Sequence, residues 1–245
     1  MLTVTFNGRA CYFDSQGVDF DRPGVIDACL IRGEFYEQRF LQYIASLEIR
    51  GTYVDVGACV GTHAAFFALH CPADHVYAFE PRAGHRARME RTLELNGLLD
   101  KVTVSSAALS DAVGEVTVRL DGREHTLRTR RLDQLVPGPV ALLKVDVEGM
   151  EPQVLAGATN ALRRHRPRVF AEAHTDEDFE RVRESLRPYG YRPTGRVFNA
   201  SPTYEFVAGG ESSAPARRNE RLARRALRRV LPRRTRRLLR RVGAR

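Results

Sequence analysis

Apolar and polar positions alternate in two short runs near the start of the chain, LTVTF (2–6) and ACYFD (10–14), on either side of Asn7-Gly8. A period of two reads as strand, and Asn-Gly suits a two-residue turn, so the chain opens with a predicted β-hairpin. A loop rich in Asp, Gly and Pro follows. FYEQRFLQYIASL (35–47) then carries apolar residues at 35, 36, 40, 41, 44 and 47, the spacing of a helix with one buried face. From residue 52 strand and helix patterns take turns. TYVDV (52–56), HVYAF (75–79), KVTVSSAAL (101–109), VALLKVDV (140–147) and RVFAEAH (168–174) read as strands. HAAFFALH (63–70), RARMERTLELN (86–96), MEPQVLAGATNALRRH (150–165) and DEDFERVRESLRPYG (176–190) read as helices, the second ended by Gly97. EVTVRL (115–120) reads as an edge strand, and YRPTGRVF (191–198) with TYEFVAG (203–209) as a closing pair. VALLKVDV is nearly continuous in apolar residues, as a central parallel strand buried on both faces requires. Repeated β-α-β predicts a doubly wound sheet with helices on both faces.

Length and composition fit this picture. The chain has 245 residues, 43% of them hydrophobic, which suits one α/β domain with extensions. No apolar run approaches the roughly 18–20 residues that span a bilayer. The start of the chain lacks a basic stretch followed by an apolar one, so no signal peptide is expected. Cys11, Cys29, Cys59 and Cys71 are scattered, without metal-type spacing, and a reducing cytoplasm is the expected location.

Charge divides the chain. The net +9 conceals a segment from Glu211 to Arg245 with fourteen arginines and two glutamates, which leaves the rest at −3. Within it Leu222, Ala226, Leu227, Val230 and Leu231 fall on one helical face, Pro232 interrupts, and Leu238, Leu239 and Val242 resume. Such a segment suits an anionic membrane surface, nonspecific RNA binding or a solvated, unfolded state; the apolar face favours the membrane over a plain charge run. The expected organisation is an N-terminal hairpin and helical cap over 1–50, an α/β domain over 51–208, and an Arg-rich linker and amphipathic tail over 209–245.

The candidate chemistry begins at VDVGACVGTH (54–63). In an open parallel sheet, ligands bind beyond the carboxyl ends of the strands. Gly57 and Gly61 stand there, where a side chain would obstruct a ligand and where turn geometry also favours glycine. The following helix, opened by Thr62 and His63, offers amides to a negative group. At the end of the next strand HVYAFEP places Glu80, a carboxylate able to accept both hydroxyls of a ribose. A dinucleotide fingerprint would carry glycine at position 59, but Cys59 stands there, which leaves room for an amino-acid tail rather than a pyrophosphate. Asp55 suits an ammonium. These demands fit S-adenosylmethionine better than NAD.

D-V-G-A-x-x-G followed by F-E-P resembles the class I S-adenosylmethionine-dependent methyltransferases. More closely, the chain resembles the FkbM-type methyltransferases, through GEFYE (33–37), VDVGACVGTH (54–63), AFEP (78–81), AALSD (107–111), RLDQL and LLKVDVEGMEPQVLAGA (142–158), with EAH at 172–174. Cys59 stands where that family often has Asn. The resemblance implies a Rossmann-like sheet of seven mostly parallel strands, the last antiparallel. It implies that Gly57 and Gly61 line the methionine end of the cofactor, with Asp55, Thr62 and His63 in the same set. Glu80 would hold the ribose, Ser106 and Ala107 would flank the adenine, and Tyr36 and Glu37 would close over it. Plain core packing is the other reading of Tyr36. The resemblance also implies O-methylation of sugars, in glycans or glycolipids, or of natural products.

Removing a hydroxyl proton calls for a base at the ends of the fourth and fifth main strands. Asp146, Glu148 and Glu151 follow one; Glu172 and His174 follow the other. Residues two apart on a strand share a face, so Asp146 and Glu148 are expected together, and Glu172 with His174. His174 is the first expectation for the base, as a neutral imidazole, with Asp146 at the methyl and cofactor and Glu148 beside it. The other reading of His174 is a cap for the helix starting near Asp176. Asp146, Glu148 and His174 also suit Mg²⁺ or Mn²⁺, but nothing in their spacing requires an ion, and no metal is expected. Lys144, inside an apolar strand, either pairs with a carboxylate or emerges at an edge. The acidic body and DVEG after the fourth strand argue against a nucleic-acid substrate. The rival to an enzyme is a non-catalytic scaffold of this fold whose basic tail binds membrane or another anionic partner.

Overall fold

The computed structural model of the protein describes residues 1–120 and 123–209. The Arg-rich segment expected to form an amphipathic tail (217–245) lies outside the described residues. β1 (Leu2–Phe6) and β2 (Arg9–Phe13) form the predicted hairpin, with Asn7 and Gly8 at φ 48° and 77°. Both turn residues in left-handed conformation match the right-handed twist of the flanking strands. α1 (Val25–Ile31) occupies part of what the sequence suggested was loop. α2 (Gln38–Ser46) buries Phe40, Leu41 and Ile44 at the predicted spacing, but starts three residues later than expected because Glu37 takes a left-handed φ of 57°. These elements share one hydrophobic cluster with Phe66 and Phe67 of the helix that follows the glycine loop.

The main sheet is built from β3 (Gly51–Val56), β4 (Ala73–Phe79), β5 (Val102–Ser105), β9 (Val140–Val145), β10 (Arg168–Glu172), β11 (Tyr191–Phe198) and β12 (Thr203–Ala208). Its order is β11-β12-β10-β9-β3-β4-β5, parallel throughout except β12, which lies antiparallel between β10 and β11. The chain therefore builds outward from β3 through β4 to β5, then returns to start again at β9 on the other side of β3. That reversal places the carboxyl ends of β3 and β9 beside each other, where open α/β sheets hold their ligands. α3 (Thr62–His70) and α4 (Ala83–Leu95) cover the β3–β5 half; α6 (Glu151–Ala156) and α7 (Asp176–Leu186) pack together on the other.

Three expectations are corrected. KVTVSSAAL is not one strand: β5 ends at Ser105, whose hydroxyl accepts the Ala107 amide at 3.3 Å, and the chain turns into β6 (Ala108–Leu109). EVTVRL is not an edge of the main sheet. It forms β7 (Gly114–Leu120), which pairs along its length with β8 (Arg123–Arg130) in a separate three-stranded sheet with β6. The helix expected over 150–165 divides into α6 and a π-helical turn at Ala161–His165. Gly157 lies at the break, where a Cβ would stand 2.0 Å from the Ser110 carbonyl oxygen, so the helix passes directly against the exit of β6. α5 (Leu132–Leu135) lies beside the break, and its Asp133 accepts the Asn160 and Ala161 amides at 2.7 and 3.0 Å. Among the described residues no helix is long and apolar enough to cross a membrane.

Candidate active site

β3 delivers Val56 to the glycine loop, and the amides of Gly57 and Ala58 both donate to the Phe79 carbonyl at 3.0 Å. Gly57 and Gly61 have φ of 81° and 82°. A Cβ on Gly57 would fall 1.8 Å from the Asp146 carbonyl oxygen, and one on Gly61 would fall 2.5 Å from Met89 Cγ. The space both glycines leave is therefore taken by the chain itself: Gly57 admits the exit of β9, and Gly61 admits α4. The sequence pattern explains these glycines by a ligand beside the loop; the fold adds a second requirement, the close approach of β9 to β3. Gly61 caps α3, with no side chain on its first-turn amides.

Glu80, nearly fully buried, accepts the Cys59 amide at 2.9 Å through one oxygen and the Arg82 amide at 2.8 Å through the other. The Arg82 guanidinium approaches the second oxygen at 3.3 Å. Glu80 thus ties the loop to the end of β4, and the oxygen that accepts the Cys59 amide still has room for a further donor. Cys59 sits at φ 49°, its sulfur 3.2 Å from His85 Nδ1. Its backbone amide serves Glu80, so the step from Asn to Cys leaves that bond intact. The Glu80 amide donates to the Ser105 carbonyl at 3.0 Å, which puts Ser106 and Ala107 immediately beside the Glu80 strand end.

A buried chain of charges lies across the β3–β9 reversal. Asp55 and Lys144 occupy paired positions on the two strands, and Lys144 Nζ stands 3.2 Å from Asp55 and 3.4 Å from Asp146. Burial alone would lower the lysine pKa, but Asp55, Asp146 and Glu37 outweigh it and hold the amine above the ordinary lysine range. Asp146 bonds onward to Glu172, and its carboxyl is held below the usual range, with Lys144 outweighing burial. Glu172 is raised to about 7, mainly by burial and against the pull of His174. His174 Nε2 lies 3.2 Å from Glu172 and 3.4 Å from Glu148.

The predicted residues thus do meet, with different roles. Glu172 pairs with His174 as expected. Asp146 and Glu148 do not share a face, because β9 ends at Val145 and Glu148 sits in a left-handed turn at φ 56°. His174 donates toward Glu148 and Glu172, which raises it to about 10, so in this arrangement it holds its proton and is not the neutral base expected from the sequence. Nor is it a cap: Thr175 caps α7 through a reciprocal box with Asp178. Glu151 accepts the amides of Val147 and Gly149 at 2.9 and 3.3 Å and serves to fix the turn that presents Glu148. The residue the sequence reading underweighted is Lys144. Its signal was present, since a lysine inside VALLKV must meet a buried acid on a neighbouring strand.

Tyr36 stacks on His63 at 6.0 Å with planes 14° apart, and Glu37 approaches His63 at 3.4 Å. Both therefore reach the site from the entry to α2. Burial lowers His63 to about 3 and raises Glu37 to about 8. Glu37 in the fold thus holds its proton far above its unfolded pKa of about 4.3, and stability is lost as pH rises between the two values. Glu37→Gln is expected to match wild type near pH 4 and to exceed it by roughly 4–5 kcal/mol at pH 8 in urea melts. A separate cavity of about 470 Å³, lined by Phe6, Arg50, His70 and Pro72 among others, lies where β3 and β4 begin, at the opposite edge of the sheet.

A family profile described as Methyltransferase FkbM domain matches residues 55–193, from the first acid of the glycine loop to the start of β11. The fold is similar to the crystal structure of methyltransferase FkbM from Methylobacillus flagellatus KT, with a TM-score of 0.53 at 19% identity. That match covers 65% of this chain and 44% of the other, so the chain spans under half the length of that protein. A putative rRNA-methylase from Clostridium thermocellum scores 0.50 at 15% identity, covering 69% of this chain and 93% of that one. A search of curated proteins found no match.

Proposed function

The chain belongs to the FkbM methyltransferase family, and on that footing we propose that it transfers a methyl group from S-adenosylmethionine to a hydroxyl of a sugar, in a glycan or glycolipid, or of a natural product. The observation that carries this reading is the division of the site at the β3–β9 reversal. On one side stand Glu80, the start of α3 with no side-chain cap on its amides, and Ser106 with Ala107. On the other stand Asp146, Glu172, His174 and Glu148, linked in a row.

The first side fits the cofactor. Glu80 is fixed by the Cys59 and Arg82 amides, yet its Cys59-bound oxygen keeps a lone pair for a ribose hydroxyl. Bound there, S-adenosylmethionine supplies an electrophilic methyl on a sulfonium. The second side serves the acceptor. The enzyme must align hydroxyl and methyl and exclude water, and Tyr36 stacked on His63 narrows the approach from α2. The row of carboxylates and His174 receives the hydroxyl and provides for the departure of its proton. Lys144 holds Asp55 and Asp146 in place with its charge, so the row stays assembled before any acceptor arrives. A cytoplasmic enzyme with residues 217–245 on the anionic inner face of the membrane would meet lipid-linked sugars, which suits the arginine content of that segment.

The test is methyl transfer from S-adenosylmethionine with a labelled methyl group, in the presence of free sugars, glycolipid extracts and hydroxylated natural products. Label recovered as an alkali-stable methyl ether supports the reading. Label recovered only on nitrogen or on nucleic acid contradicts it.

A further inference from the structure

Glu148, Glu172 and His174 come from two strand ends, and one ligand atom from each lies within 4.8 Å of the other two. His174 Nε2 is 3.2 Å from Glu172 Oε2 and 3.4 Å from Glu148 Oε2. Bonds of about 2.0–2.2 Å to a common ion place neighbouring ligand atoms about 2.9–3.5 Å apart, so these two separations already match the edges of a coordination shell. Glu172 Oε2 is buried, on a side chain only 6% exposed, and faces His174 Nε2. A divalent cation in place of the His174 proton would satisfy the Glu172 and Glu148 oxygens together. The support behind the three ligands is rigid. Glu172 closes β10 between β9 and β12, and Glu151 clamps the turn that carries Glu148. Thr175 takes the capping of α7, which leaves His174 to face the two carboxylates. Orientation of ligands by such outer contacts is what metal sites require.

We propose that Glu148, Glu172 and His174 form a divalent-cation site at the acceptor side of the fold. Two carboxylates and an imidazole suit Mn²⁺ or Zn²⁺ better than Ca²⁺. The expectation of no metal rested on Asp146, Glu148 and His174; the fold sends Asp146 to Lys144 and brings Glu172 in its place. Glu148 and His174 are exposed, so the outer coordination positions are open to water and to an acceptor oxygen. This last use rests on the methyl-transfer reading. There the ion binds the hydroxyl oxygen, the O–H bond breaks and its proton passes to bulk water. The oxygen then takes the methyl as the carbon–sulfur bond breaks and sulfur keeps the electron pair, leaving a neutral thioether.

The test uses the full chain stripped with a chelator and titrated with MnCl₂, followed by calorimetry and by loss of the free Mn²⁺ electron paramagnetic resonance signal. One Mn²⁺ per chain is expected, bound about tenfold or more weakly by Glu148→Gln and by His174→Gln. Glu148 is a surface side chain, so its variant keeps the fold even where the histidine variant does not. Binding of S-adenosylhomocysteine is measured on the same samples. No Mn²⁺ binding by a stripped wild type that still binds S-adenosylhomocysteine overturns the metal site and leaves the methyl-transfer reading standing. Equal Mn²⁺ affinity in wild type and Glu148→Gln also overturns it. Mn²⁺ binding that the variants lose, without S-adenosylhomocysteine binding, upholds the metal site and counts against methyl transfer.

Discussion

Lys144→Met is expected to lower the stability of the fold by about 3–5 kcal/mol at neutral pH, the usual penalty for removing one partner of a buried ion pair. Lys144 and Asp55 are both essentially inaccessible to solvent, and they face each other on adjacent strands at 3.2 Å. Methionine fills the aliphatic volume but leaves Asp55 without its cation. In the variant Asp55 loses the lysine that opposes burial, so its folded pKa, already held by burial above the unfolded value of about 3.9, rises further and it keeps its proton. The unfolded chain then binds fewer protons than the folded one. Stability falls as pH rises, by up to about 1.4 kcal/mol per unit, until Asp55 ionises within the fold. Urea melts should therefore show a larger deficit at pH 8 than at pH 5. Asp55→Asn combined with Lys144→Met should recover most of the loss, because the pair acts as a unit. Equal melts for wild type and Lys144→Met would mean that the buried pair holds nothing together.

Gly57→Ala is expected to cost about 1–2 kcal/mol from its left-handed backbone alone, and about 1–3 kcal/mol more from overpacking against Asp146. Its φ is 81°, and the new Cβ would stand 1.8 Å from the Asp146 carbonyl oxygen, a backbone atom that cannot swing aside. The separation of β3 from β9 must then increase, which displaces the glycine loop and the acidic row together. Gly138→Ala is the control. Its φ is 83°, but nothing lies within 4 Å of the added carbon, so it pays for conformation without the clash. Thermal melts should separate the two by the overpacking cost. Equal losses would show that the close approach to Asp146 is not what requires glycine at 57.

The contrast between these glycines also shows what the sequence could reveal. The β-α-β order, the acid after each of the first two strands and the helix after Gly61 were all legible, because each has a local pattern. The partner of each glycine was not, since Asp146 and Met89 are distant in sequence and only the fold brings them near. The same limit applies to the acids. Spacing suggested Asp146 with Glu148, as on a continuing strand. The left-handed turn at Glu148 and the clamp from Glu151 separate them, and the long-range pairs Lys144–Asp55 and Glu148–His174 replace the local one. EVTVRL had the alternation of an edge strand, but alternation does not say which edge is open. The β5 terminus at Ser105 sends the chain to a second sheet before that strand begins.

The central claim is that the β3 loop and Glu80 form a cradle for S-adenosylmethionine. Calorimetric titration of the full chain with S-adenosylhomocysteine, beside Glu80→Gln, tests it most directly. The Cys59 and Arg82 amides at 2.9 and 2.8 Å orient the Glu80 carboxylate, and the glutamine variant removes its charge while keeping its size. Micromolar binding by the wild type, weakened about tenfold or more in the variant, is the predicted result. No binding by the wild type, or equal affinity in the two proteins, would contradict it.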